Sequence, residues 1–301
     1  MTSNERCTVC PRLCPVDRRV RPGYCGALAL PQVARAALHL WEEPPISGTR
    51  GSGAVFFSGC NLRCVFCQNS DISASIRGKF CDEAALCRIF LDLQAQGAHN
   101  INLVTPTPHT PVLIRALRLA KEQGLRVPIL WNTNGYERVE TLRELSGLVD
   151  LYLPDFKYVS ERLSQKYSGA ADYFPVAAAA LDEMWRQCGP LVLDEEGVAQ
   201  KGVLVRHLVL PGSVDEARRV IDHLFETYGD ALSLSLMRQY TPMYRALSEP
   251  ENFPFLTRRV TAREYNRTVD YALSKGMTRL FLQKAEAATD AYTPAFDGTG
   301  V

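Results

Sequence analysis

The sequence predicts an α/β fold, a parallel barrel or partial barrel preceded by a small, irregular, cysteine-rich module. Three observations lead there. Short apolar runs alternate with amphipathic helical stretches about six times, and such alternation means parallel strands joined by helical crossovers. Polar residues recur where those runs end, at Thr105, Asn132-Thr133, Asp155, Lys157 and Gln239. The C-terminal rim of a barrel is where such folds carry their chemistry. Finally, four cysteines and six prolines crowd the first 50 residues, which show little helical or strand period. A segment of that kind needs a metal to hold it together.

The elements follow in order from Gly53. Ala54–Ser58 is an apolar run that fits a buried strand. Asp82 is placed to cap a helix with Leu86, Ile89, Phe90 and Leu93 as its stripe, stopped near Gly97. Ile101–Val104 reads as a strand, and Thr110-Pro111 as a cap followed by proline in the first helical position. Val127–Trp131 and Val149–Leu153 are strands separated by a helix carrying Val139, Leu142 and Leu145. A helical region then spans about 160–187. Gly202–Leu210 and Ala231–Met237 are strands around a helix whose capping box is Ser213 with Glu216. A second box, Thr261 with Glu264, opens the last helix, and Arg279–Leu282 is the last strand. The expected organisation is a module and lead-in over 1–50, a barrel core over 51–245, and a helix–strand extension over 246–301.

Composition limits the function. The chain has 301 residues, 34 Lys+Arg against 33 Asp+Glu and a net charge of +1, so no field steers it to nucleic acid or membrane. No apolar run approaches the roughly 20 residues of a membrane span. The N-terminus lacks an apolar signal core, and a cytoplasmic location is expected. Seven of the ten cysteines sit in two tight groups, which in such a chain read as metal ligands rather than disulfides.

The central group is Cys60-x3-Cys64-x2-Cys67, directly after the first strand. Three thiolates on one loop can bind three corners of a cubane and leave the fourth iron open. An open position is what a catalytic metal needs. The competing reading is a zinc loop completed by a distant side chain, a scaffold rather than an enzyme.

This loop resembles the signature of radical S-adenosylmethionine (SAM) enzymes. Within that superfamily the chain is most similar to pyruvate formate-lyase activating enzymes and their less characterised relatives. The similarity rests on Gly51–Cys60, Asn132-Thr133-Asn134-Gly135, Leu153-Pro154-Asp155-Phe156-Lys157 and Arg206–Gly212, and covers about residues 51–240. It implies a partial (β/α)6 TIM-type barrel and a 4Fe–4S cluster at Cys60, Cys64 and Cys67. It implies reductive cleavage of SAM to a 5′-deoxyadenosyl radical that abstracts hydrogen from a substrate. It also implies residue roles. Phe66 would lie by the adenine, and Thr105, Pro106 and Thr107 by the methionine amino group. Asn132, Thr133 and Asp155 would lie near the carboxylate, where such activases hold a monovalent cation. Lys157 and Arg206 would help bind the cofactor, since a carboxylate calls for cationic partners. The implied partners are an electron donor such as a flavodoxin or ferredoxin, and either a glycyl radical enzyme or a peptide or small-molecule substrate. The chain departs from the family pattern in places, which leaves the hydrogen donor open. Thr105-Pro106-Thr107-Pro108-His109 stands where the family carries Gly-Gly-Glu, and Asn132 replaces an aspartate, which weakens the cation site by removing a charge.

The N-terminal group, Cys7, Cys10, Cys14 and Cys25, offers four thiolates in 19 residues among Arg12, Arg18, Arg19 and Arg21. Four thiolates make a closed zinc site or the full ligand set of a second cluster, and spacing does not choose between them. Cys81, Cys87 and Cys188 read as small buried residues. His109 and His207 are expected to face the cavity, with Tyr240 and Tyr244 as candidate lining.

Overall fold

The computed structural model describes residues 6–283 and 293–301. Among these, ten strands occur in chain order: β1 (Gln32–His39), β2 (Ser52–Phe57), β3 (Lys79–Phe80), β4 (Ile101–Val104), β5 (Ile129–Thr133), β6 (Leu151–Pro154), β7 (Val192–Leu193), β8 (Ala199–Leu208), β9 (Ser233–Met237) and β10 (Leu280–Leu282). Their spatial order is β10-β9-β8-β6-β5-β4-β2-β1-β3, with β7 paired to β8 off this path. Every neighbouring pair from β2 to β10 along the path is parallel, while β1 pairs antiparallel with both β2 and β3. This is an α/β fold with a mostly parallel central sheet, in keeping with a partial TIM-type barrel.

Side chains alternate along each strand. Val55, Leu103, Trp131, Tyr152, Val205 and Leu236 face the helices and join their apolar stripes in one large core. Leu130, Leu151, Leu153 and Leu204 face inward, where Ile46 of the short turn Pro44–Ser47 packs among them. Asn132, Arg206 and Met237 share that inward direction nearer the strand C-termini and reach the cavity there.

Several expectations need correction. Residues 1–50 are not irregular throughout, because β1 contributes eight residues to the sheet in register Ala37↔Ala54. Its run of small residues, Ala34, Ala36 and Ala37, carries no strand signal; pairing with β2 makes it a strand. The Ser213–Glu216 box does not form, since Glu216 instead accepts from the backbone N–H groups of Val159 and Ser160, both at 2.6 Å. Thr110 is the first helical residue rather than the cap, and its hydroxyl donates to Thr107 O at 2.9 Å. The helical region over 160–187 is two helices, Glu161–Ser168 and Tyr173–Cys188, separated by Gly169 in the left-handed region. Asp82 caps its helix through Ala85 N–H at 2.8 Å, and the Thr261–Glu264 box forms in both directions.

Candidate active site

At the C-terminal ends of β2, β4, β5, β6 and β8 lies an open cavity of about 1250 Å³, the solvent at its mouth included. The cysteine loop forms one wall, since Cys60, Cys64, Phe66 and Cys67 all line it. Thr105, Asn132, Thr133, Asp155, Lys157, Arg206 and Gln239 line the rest of the polar side. The fold therefore gathers residues far apart in sequence, Cys60 and Gln239 among them.

The loop is pinned by its backbone. Arg63 N–H donates to Ser168 O at 3.2 Å and Val65 N–H to Tyr167 O at 2.9 Å, fixing it on the end of helix Glu161–Ser168. Each sulfur has a side-chain hydrogen-bond partner from another segment. Asn134 Nδ2 donates to Cys60 Sγ at 3.3 Å, Ser73 Oγ donates to Cys67 Sγ at 3.2 Å, and Ser168 Oγ lies 3.0 Å from Cys64 Sγ. Burial pushes the Cys60 thiol up to about 12 and Cys67 up to about 11, with the neighbouring cysteines adding to both. Cys64 is raised for the same reason, against the pull of Lys157.

Opposite the loop lies a buried charge network. Asp155 accepts from Arg206 Nε at 2.9 Å and from Lys157 Nζ at 2.6 Å. Arg206 Nη2 donates to Asn132 Oδ1 at 2.6 Å, and its Nη1 is 3.3 Å from Glu42 Oε2. Glu42 Oε1 in turn accepts from Asn102 at 2.9 Å and Asn132 at 3.2 Å. Burial raises the pKa of Asp155, but the two cations outweigh it and hold the carboxyl below its ordinary value. Arg206 commits three of the five N–H donors a guanidinium has, and Lys157 one of three, so both keep donors for a ligand. The oxygens of Asp155 and Asn132 are engaged by these cations.

Pro106 and Thr107 stand behind the wall rather than on it. Thr107 and Thr133 both donate to Glu137 Oε1, at 2.7 and 2.6 Å, with Trp131 Nε1 at 3.0 Å. His109 and His207 do not face the cavity, which corrects that expectation. His109 Nε2 bonds Ser58 O at 2.9 Å and His207 Nδ1 bonds Phe156 O at 2.8 Å. His207 follows the outward direction of Val203 and Val205 on β8, which points it away from the barrel interior. Tyr240 is buried against Phe66 with ring centroids 6.0 Å apart, and Tyr244 is exposed; neither lines the cavity. The sequence reading missed His39, Trp41 and Glu42 as lining residues, along with Ser73. His39 to Glu42 leave the C-terminal end of β1, the strand that no periodicity announces.

The N-terminal cysteines sit against this loop without entering the cavity. Cys60 N–H donates to Cys25 O at 3.2 Å, and Arg12 Nε donates to Asn61 O at 2.9 Å. Burial pushes Cys10 up to about 12, with Cys25, Cys7 and Cys14 adding to it, and raises Cys25, with Cys7 and Cys14 adding to it. Tyr24 N–H donates to Cys14 Sγ at 3.3 Å. Cys81, Cys87 and Cys188 are buried among apolar neighbours.

Residues 54–186 match the model of the Radical SAM superfamily. The chain is also similar to an uncharacterised protein of Methanocaldococcus jannaschii, 29% identical over 277 residues that cover 89% of this chain and 74% of that protein. Among solved structures it resembles SuiB of Streptococcus suis bound to its precursor peptide SuiA, with a TM-score of 0.49 and 14% identity over 77% of this chain. It likewise resembles SuiB bound to S-adenosylmethionine, with a TM-score of 0.47 and 13% identity over 78% of this chain. The chain spans about half the length of these solved structures, 48% and 46%. The superfamily implies an enzyme with a 4Fe–4S cluster and SAM. The donor set fits. Three buried thiols on one loop share a cavity with polar strand ends, and a cubane asks each thiolate to bind its own iron. Among the described residues no group of three or more His, Cys, Asp or Glu side chains is arranged around one metal ion. Among the described residues no helix is long and apolar enough to cross a membrane.

Proposed function

We propose that this protein is a radical SAM enzyme whose cluster is held by Cys60, Cys64 and Cys67. The observation that carries the reading is that one cavity joins a three-cysteine loop to the polar C-terminal ends of β5, β6 and β8. When bound, the cluster and SAM supply a 5′-deoxyadenosyl radical that takes hydrogen from a substrate. The protein's own residues bind and orient. Phe66 offers backbone groups and packing to the adenine, beside Met237 and Leu208. Lys157 and Arg206 direct their uncommitted N–H groups to the methionine carboxylate. Thr105 and Thr133 serve the amino end. Cys7, Cys10, Cys14 and Cys25 hold zinc or a second cluster, and an electron donor such as a flavodoxin or ferredoxin delivers the electron.

The substrate we propose is a glycine of a partner enzyme, in the manner of an activase. The order of the matching segments and an open cavity lined also by His39, Trp41, Thr293 and Pro294 support it. A peptide or small molecule is the second reading, favoured by the changed segment Thr105–His109. The test is release of 5′-deoxyadenosine from anaerobically reconstituted protein given dithionite and SAM. Release is expected in the wild type and should vanish in Cys64→Ala. Zinc in place of iron at these cysteines, with no release, overturns the reading in favour of a metal-binding scaffold.

A further inference from the structure

We infer that Tyr158, Ser168 and Cys64 form a directed hydrogen-bond chain that raises the reduction potential of the cluster at its Cys64 corner. The inference rests on the cluster reading above. Ser168 Oγ lies 3.0 Å from Cys64 Sγ and 2.9 Å from the Tyr158 hydroxyl. Ser168 and Tyr158 are 0% and 1% exposed, so bulk water does not compete for these groups.

Proton counting fixes the direction. A serine hydroxyl has one proton to give and lone pairs to accept. A thiolate bound to iron can only accept. Ser168 must then donate to Cys64, and its oxygen is left to accept from Tyr158. The chain runs Tyr158 O–H to Ser168 O–H to Cys64 S⁻. In the metal-free protein a Cys64 thiol can donate to Ser168 instead, so ligation itself sets the polarity. The backbone makes the contact reproducible. Arg63 and Val65 bond to the carbonyls of Ser168 and Tyr167, and left-handed Gly169 ends the helix at that point. The sulfur and its donor are thus carried by two segments tied together on either side of Cys64.

Hydrogen bonds to ligand sulfurs are among the factors that set an iron–sulfur potential. They favour the reduced state, where more negative charge rests on sulfur. A donor that itself accepts a hydrogen bond is polarised into a stronger donor. Among the described residues, Cys60 and Cys67 have Asn134 and Ser73 as side-chain donors, while the donor at Cys64 is backed by a second buried hydroxyl.

The experiment is an EPR-monitored redox titration of the reconstituted full chain, with iron and sulfide measured in each variant. Ser168→Ala is expected to move the midpoint more negative, by about tenfold in the reduction equilibrium, or about 59 mV for one electron. Tyr158→Phe, which leaves Ser168 in place, is expected to move it the same way by less. Should Ser168→Ala perturb folding, Tyr158→Phe alone decides. An unchanged midpoint in Tyr158→Phe at full cluster content overturns the chain. Wild-type protein that shows no one-electron cubane signal overturns instead the cluster reading beneath it.

Discussion

Arg206 carries a guanidinium into the barrel interior, where a lone charge would be costly. Burial works against its charge, but Asp155, Glu43 and Glu42 outweigh burial and hold its pKa above the ordinary value. The same contacts orient Asn132 and leave two N–H groups for a ligand. Removing one partner of such a buried network is expensive, because the others remain charged and dry. Arg206→Met is therefore expected to cost about 3–5 kcal/mol of stability in urea titrations. Adding Glu42→Gln to that variant should recover part of the loss, and strict additivity of the two changes would sink the network account. At this scale the sequence was legible where a strand carried the residue. Asn132, Asp155 and Arg206 end or lie on strands with clear apolar runs, so the barrel rule placed them. Glu42 escaped, because it follows β1 in a stretch with no period, and its role depends on contacts with residues 60, 90 and 164 positions away in sequence.

Elements explain how the cysteine loop is aimed. β2 ends at Phe57, and the chain turns at Gly59 with φ of +92°. A Cβ at Gly59 would lie 2.8 Å from Cys25 O and 2.9 Å from Ala27 Cβ. Glycine thus meets two demands together, a left-handed turn and close approach of the N-terminal module. Gly59→Ala is expected to cost about 1–3 kcal/mol and to loosen the Cys60 N–H to Cys25 O bond. Lower stability together with faster hydrogen exchange at Cys60 would bear this out; an unchanged exchange rate would not. The strands on this frame were read within a few residues, and Ile101–Val104 matched its observed bounds. Periodicity and turn residues specify a buried parallel strand well. They could not supply β1, whose alanines follow no strand pattern and whose partner is chosen by tertiary pairing. Nor could they tell a capping glutamate from one like Glu216, taken by the backbone of the Val159-Ser160 turn 56 residues upstream.

On the scale of the whole molecule, the N-terminal module is bound to the barrel at several points. Arg138 and Thr141 donate to the carbonyls of Thr8 and Val9, at 2.7 and 2.9 Å. Arg18, held within the module by the carbonyls of Ala27 and Leu28, donates across to the carbonyl of Pro108. That last contact brings a cation beside His109, which is fully buried at the start of helix Thr110–Glu122. Burial first, and then Arg18, push the His109 pKa down to about 3, against the pull of the Ser58 carbonyl. The helix N-terminus also disfavours an imidazolium. The sign of the linkage follows. Between the ordinary histidine value near 6.5 and about 3, the unfolded chain takes up a proton that the folded chain refuses. Stability should therefore fall as pH drops through that window, by up to about 1.4 kcal/mol per pH unit from this residue. His109→Gln can still donate to Ser58 O and cannot ionise. It is expected to be less stable at pH 7 but to show a shallower loss between pH 6 and pH 4 in urea titrations. Parallel slopes for the two proteins would show that the acid sensitivity lies elsewhere. The expected shallower slope would mean that burial, aided by Arg18, keeps this histidine neutral, and that acid destabilises the fold by forcing a proton onto it.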